Sequence, residues 1–183
     1  MALSPDDRRR VLEFARAAVA HAVREGRPDP APPSDGPFAV PGGLFVTLRR
    51  RRDRELRGCI GHLHADAPLG ETLARVAVMS ALEDPRFPPV RPEEIEGLEV
   101  EVSVLGPFVR TPDPLRDLRV GEHGLRIRLG ARGGILLPQV ATEGGLDGPA
   151  FLEALCRKAR LAPGAWREAA AEVDLFTAEV IGS

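Results

Sequence analysis

Between Glu55 and His64 the sequence reads ELRGCIGHLH, a cysteine between two glycines with an arginine before it and two histidines after it. In an extended strand Arg57, Cys59 and Gly61 would share one face and Leu56, Gly58 and Ile60 the other. A guanidinium beside a thiol favours the thiolate, and Gly58 and Gly61 would let a ligand or a second backbone approach closely. That arrangement suits a nucleophile or a redox-sensitive thiol. The blander reading is that Gly58 and Gly61 mark a bulge or bend and Cys59 packs as a small apolar side chain.

Other residues with chemical capacity lie nearby in the sequence. Cys59, His62 and His64, with His123 farther on, offer ligand types that zinc accepts. In a continuing strand, however, the histidines would project opposite the cysteine, so no metal site is expected. In LEVEVSVLG, Glu99, Glu101 and Ser103 line one strand face, and Glu101 facing a cleft could move a proton or bind a polar ligand. In DPRFPPV the prolines would hold Asp84 and Arg86 rigidly, as a preorganised site or as a stiff connector. Arg49–Arg52, Arg54 and Arg57 could grip phosphates, but no aromatic platform is interleaved and tyrosine is absent, so a solvated hairpin tip is expected. No phosphate-binding glycine loop or hydrolase elbow occurs, and no cofactor is expected.

These residues must be carried by a framework of alternating periods. Ser4 and Pro5 open a helix whose apolar positions recur from Val11 to Val23, until Gly26 and Pro28 end it. The proline-rich stretch 27–37 reads as loop. Strands are predicted over 43–50 and 55–63 with a hairpin tip RRDR, a helix over 68–82, and a regular strand over 98–106. Strands over 124–130 and 133–140, a helix over 148–161 carrying Cys156 at a core position, a short helix in PGAWREAA and a last strand over 174–181 follow. Tight connections between strands exclude parallel crossovers, so the fold class is α+β with a mostly antiparallel sheet flanked by helices.

The 183 residues suit a single domain able to bury its own core without disulfides. A formal charge of −2 argues against a general nucleic-acid or membrane-surface binder. Two cysteines, no apolar leader and no long apolar run point to a cytoplasmic protein without a membrane anchor.

ELRGCIG, DPRFPPV, EVSVLGP, GEHGL, LLPQVA and FLEALCRKA with a following tryptophan, in that order from about Gly43 onward, resemble the AMME chromosomal-region domain family. The resemblance implies one AMME-type domain over 1–183, built as two unequal lobes with a cleft between them and both chain ends in the larger lobe. It makes Leu56–Gly61 the segment suspected of function. It also implies a Memo-type protein and a radical-SAM enzyme as partners in a modification pathway. The sequence departs from the family pattern at His62 and His64, and at Leu146, where a tryptophan is common. The expected site is a cleft with Cys59, Arg57 and Glu101 as catalytic candidates and Gly58, Gly61, Asp84 and Arg86 as substrate-binding candidates. The alternatives are a non-catalytic adaptor that docks to a protein partner and, less favoured, a nucleic-acid-associated protein.

Overall fold

The computed structural model of the chain describes residues 3–29, 31–63 and 66–182. The chain divides into two compact units, Met1–Leu105 with Glu179–Ser183, and Gly106–Ala178.

The first unit is a small sheet covered on one face by two helices. Helix α1 (Pro5–Glu25) starts where the Ser4 hydroxyl accepts the Asp7 N–H and stops at Gly26, whose φ of 68° favours glycine. It buries Val11, Ala15, Ala18, Val19 and Ala22, one stripe at helical spacing. Strands β1 (Leu44–Arg50), β2 (Leu56–His62) and β3 (Leu98–Leu105) lie in the order β2-β1-β3, with β1 antiparallel to both neighbours. Helix α2 (Leu69–Leu82) runs between β2 and β3 in the chain and packs on β1, β2 and α1. Leu44, Val46 and Leu48 on β1 and Val100 and Val102 on β3 are buried against Leu73, Val76 and Ala77 of α2 and the stripe of α1. Period-two alternation sends Phe45, Thr47, Glu99, Glu101 and Ser103 to the opposite, helix-free face.

The second unit carries β4 (Val109–Arg110), α3 (Pro114–Asp117), β5 (His123–Leu129), β6 (Arg132–Leu136), α4 (Pro138–Glu143), α5 (Gly148–Lys158) and most of β7 (Glu172–Ile181). β7 pairs antiparallel with β4 and β5, and β5 with β6. Its core packs Leu125 and Ile127 against Phe151, Leu152, Leu155 and the fully buried Cys156. The strand expected over 133–140 ends at Leu136 instead. Pro138 cannot donate to a ladder but fits the first turn of a helix, and α4 begins there. Glu172 and Asp174 on β7 bind Arg110, Arg126 and Arg128 of the neighbouring strands. No helix among the described residues is long and apolar enough to cross a membrane.

Candidate functional site

One extra residue in β2 decides where the cysteine points. Beyond the hairpin tip Arg49 pairs with Leu56, but Leu48 pairs with Gly58, so Arg57 is inserted as a bulge. In an unbroken ladder Cys59 would stand opposite Val46 and face the helices. With the bulge it stands opposite Thr47, on the helix-free face, because a one-residue slip exchanges the two faces of a strand. The expected alternation is corrected accordingly. Leu56 shares a face with Cys59 instead of with Gly58, and Arg57 leaves the pattern.

The two flanking glycines answer to different neighbours. A Cβ at Gly58 would lie 2.1 Å from the Ser80 carbonyl oxygen, so α2 can press its backbone on β2 only at a glycine. The Ser80 hydroxyl then accepts the Ile60 N–H at 3.2 Å and donates to the Val46 carbonyl at 3.0 Å, tying β1, β2 and α2 together. At Gly61 a Cβ would fall within 2.3 Å of the Phe45 ring, which occupies that space from the paired strand.

The thiol itself is half-buried, and its sulfur lies 3.3 Å from the Thr47 hydroxyl. β2 ends the strand order, so its outer side lacks a strand partner among the described residues. At Cys59 the loop after α2 supplies one. Asp84 accepts the Cys59 N–H at 2.9 Å, and Arg86 donates to the Cys59 carbonyl at 2.9 Å. Those two side chains also form a forked pair, Nε to Oδ1 at 2.9 Å and Nη2 to Oδ2 at 2.7 Å. Asp84 is only 4% exposed, and its pairing with Arg86 holds its carboxyl far below the usual carboxylate range. Asp84 chiefly, and Cys59 after it, hold Arg86 in its charged form. The guanidinium that bonds Cys59 is thus that of Arg86, through the backbone carbonyl.

Arg57 is buried at 3% exposure, and its guanidinium is turned to other groups. It donates Nε and Nη2 to the two oxygens of Glu94 at 2.9 and 3.1 Å, and Nη1 and Nη2 to the carbonyls of Pro88 and Pro89 at 2.8 and 3.1 Å. It therefore holds the proline loop that carries Asp84 and Arg86. Glu94 also accepts the Arg91 N–H, and the Arg57 bond lowers its carboxyl to about 2.

Both carboxyls bind protons less readily in the folded chain than at their ordinary values of 3.8 for Asp84 and 4.5 for Glu94. Their contribution to stability is complete above those values and is lost as pH falls through the folded ones. Urea unfolding is expected to show stability falling most steeply from about pH 4.5 to about pH 2, with a shallower fall in Asp84→Asn. Equal slopes in the two proteins would count against the Asp84–Arg86 pair.

Glu101 stands on the same face as Cys59, two strands away, because both pair with Thr47. The other acids around the sheet are matched: Arg54 with Glu99 at 2.6 Å and Arg50 with Glu55 at 3.0 Å. Glu101 has no hydrogen bond or ion pair among the described residues. Ser103, next along that face, is 1% exposed, and its hydroxyl has no partner among them. The other hairpin arginines are engaged locally, Arg49 on the Arg54 carbonyl, Arg51 on the Leu98 carbonyl and Arg52 on Asp53. His62 bonds Asp66 at 2.9 Å, and His64 lies outside the described residues. Among the described residues no three His, Cys, Asp or Glu side chains are grouped as a metal would require.

The model of the AMMECR1 family matches residues 12–181. The chain belongs to the AMMECR1 family. Protein MK0488 of Methanopyrus kandleri is 40% identical over 176 residues, covering 93% of this chain and 85% of the relative. Protein TK0174 of Thermococcus kodakarensis is 43% identical over 179 residues, covering 93% and 87%. The crystal structure of the uncharacterized protein PH0010 from Pyrococcus horikoshii superposes with a TM-score of 0.84 at 40% identity, over 93% of this chain and 88% of that one. An α+β fold is thus common to the AMMECR1-family crystal structure and to this chain.

Within that AMMECR1 framework, Thr47, Ser80 and Glu94 are the residues that reading β2 alone misses. Thr47 and Ser80 become partners of the cysteine segment only once the bulge sets the register. Glu94, by contrast, carries a local signal. It is the third residue of the helical turn Pro92–Gly97, where an acid can reach back to the N–H just before the turn, and it accepts that of Arg91.

Proposed function

We propose that this AMMECR1-family chain acts through a thiol centre at Cys59 and that its substrate meets the helix-free face of β2-β1-β3. Cys59 is the nucleophile or redox-active group. Thr47 is its hydrogen-bonding neighbour, and Glu101 is the carboxylate that receives the substrate. Asp84 and Arg86 hold the Cys59 peptide in place, Arg57 holds their loop, and Gly58 and Gly61 make the close packing possible. The observation that carries this reading is the bulge at Arg57, which turns a part-exposed thiol away from the core and onto a face with an unpaired carboxylate. A bulge that re-aims one side chain is characteristic of functional strands. The resemblance of the motifs to the AMME–Memo–radical-SAM system supports a cytoplasmic role beside a Memo-type protein and a radical-SAM enzyme.

A second reading, a non-catalytic adaptor, is favoured by Val109, Leu115, Val120 and Val140, which the second unit leaves exposed. Genetic complementation separates the two. In a host deleted for its own AMMECR1-family protein, the wild-type chain is expected to restore the deletion phenotype and Cys59→Ala to fail, with the thermal midpoints of the two within a few degrees. Full restoration by Cys59→Ala would overturn the thiol reading and favour docking.

A further inference from the structure

The charges around the thiol are not evenly distributed, and that distribution bears on what the site can receive. Arg86, the nearest cation to Cys59, is matched at contact distance by Asp84, and Arg57 is matched by Glu94. Arg54 is matched by Glu99 and His62 by Asp66. Arg49 shares the helix-free face, but its guanidinium is on the Arg54 carbonyl, and no ion pair among the described residues joins it to Glu101. What remains on the face is the carboxylate of Glu101, with the thiol on one side and the unpartnered, buried Ser103 hydroxyl on the other. Gly182 packs against the stem of the Glu101 side chain, and a Cβ there would stand 3.1 Å from the Glu101 Cγ. Buried hydroxyls without partners are uncommon in folded proteins, and one beside an unpaired carboxylate marks a place where a polar ligand completes the bonding.

Adjacent strands lie about 4.8 Å apart, so Cys59 and Glu101 are separated by roughly 10 Å along the row through Thr47. At that spacing, with no bond between them, Glu101 is a poor acceptor for the thiol proton and a good anchor for the far end of a substrate. Resting on the proposed thiol centre, we infer that the substrate carries a cationic group, an ammonium or a guanidinium. Glu101 and Ser103 seat this group, and the reacting part of the molecule then lies over the Cys59 sulfur. Glu101 is the specificity-determining residue of the site.

Charged thiol reagents test this directly. The rates at which Cys59 in the full chain reacts with trimethylammonium-ethyl and sulfonato-ethyl methanethiosulfonate are measured, each divided by the rate of free cysteine. Neutral iodoacetamide is the reference. The cationic reagent is expected to be preferred. Glu101→Gln is expected to lower the cation-to-anion ratio by about fourfold or more, the effect of removing one charge roughly 10 Å away even at the dielectric constant of water. Raised salt is expected to shrink the same ratio. A ratio at or below one in the wild-type chain, or one unmoved by Glu101→Gln, overturns the inference while leaving the thiol centre standing. Failure of Cys59 to react with iodoacetamide as well overturns both.

Discussion

Arg57→Ala is expected to destabilise the first unit by roughly 3–5 kcal/mol, the range for breaking a buried ion pair by removing one partner. Three effects act in the same direction. The Glu94 carboxylate, 23% exposed, loses its forked cation. The carbonyls of Pro88 and Pro89 lose their donors, and proline has no N–H with which the loop could reorganise its bonding. The space occupied by a guanidinium at 3% exposure is left empty. Arg57→Lys keeps the charge but lacks the planar fork that reaches Glu94 and both carbonyls together, so it is expected to recover only part of the loss. Urea titration of the three proteins measures this. A loss below about 1 kcal/mol for Arg57→Ala would show that the loop is held by something else.

The second large effect is expected at Gly58. Alanine there would place its Cβ 2.1 Å from the Ser80 oxygen and 3.2 Å from the Ser80 carbonyl carbon. Both are helix backbone, which cannot turn aside as a side chain can. Either α2 withdraws or β2 bends, and each response breaks the Ser80 bridge between Ile60 and Val46. Overpacking of this kind costs roughly 1–3 kcal/mol, and backbone against backbone belongs at the upper end. Gly97→Ala, where nothing lies within 4 Å, is the matched control and is expected to leave the unfolding midpoint nearly unchanged. Equal stability of the two variants would contradict the close approach of α2 to β2.

Much of this molecule is visible in its residue order, and the exceptions have physical causes. Ser4, Pro5 and Gly26 bracket α1 because caps are local chemistry. The regular alternation of Leu98–Leu105 places Val100 and Val102 in the core and Glu99, Glu101 and Ser103 opposite, because β3 has no bulge against β1. Asp84, Arg86 and Cys59 do come together, although nothing in their spacing says that a carboxylate and a guanidinium would serve as the missing strand at the edge of β2. The role of Arg57 is not legible, because Gly58 and Gly61 suggest a bulge or bend without saying which residue is inserted. The simple alternation that sets Arg57 beside Cys59 comes from reading a strand without its partner. In the second unit the β6 pattern holds through Leu136, which pairs with Leu125, and goes no further. Pro138 then starts α4, and the expected strand loses its last residues to a helix.

Whether Cys59 is a thiol centre is decided by alkylation of the folded chain with iodoacetamide, followed by mass spectrometry with the two cysteines read in the same sample. Cys59 is half-buried on the helix-free face, whereas Cys156 is fully buried, and burial pushes its thiol up from the ordinary value. If Cys59 is a thiol centre, it is labelled to completion under native conditions while Cys156 stays unmodified until urea unfolds the chain. If Cys59 and Cys156 are labelled only together, on unfolding, Cys59 is a packing residue and the thiol centre is contradicted.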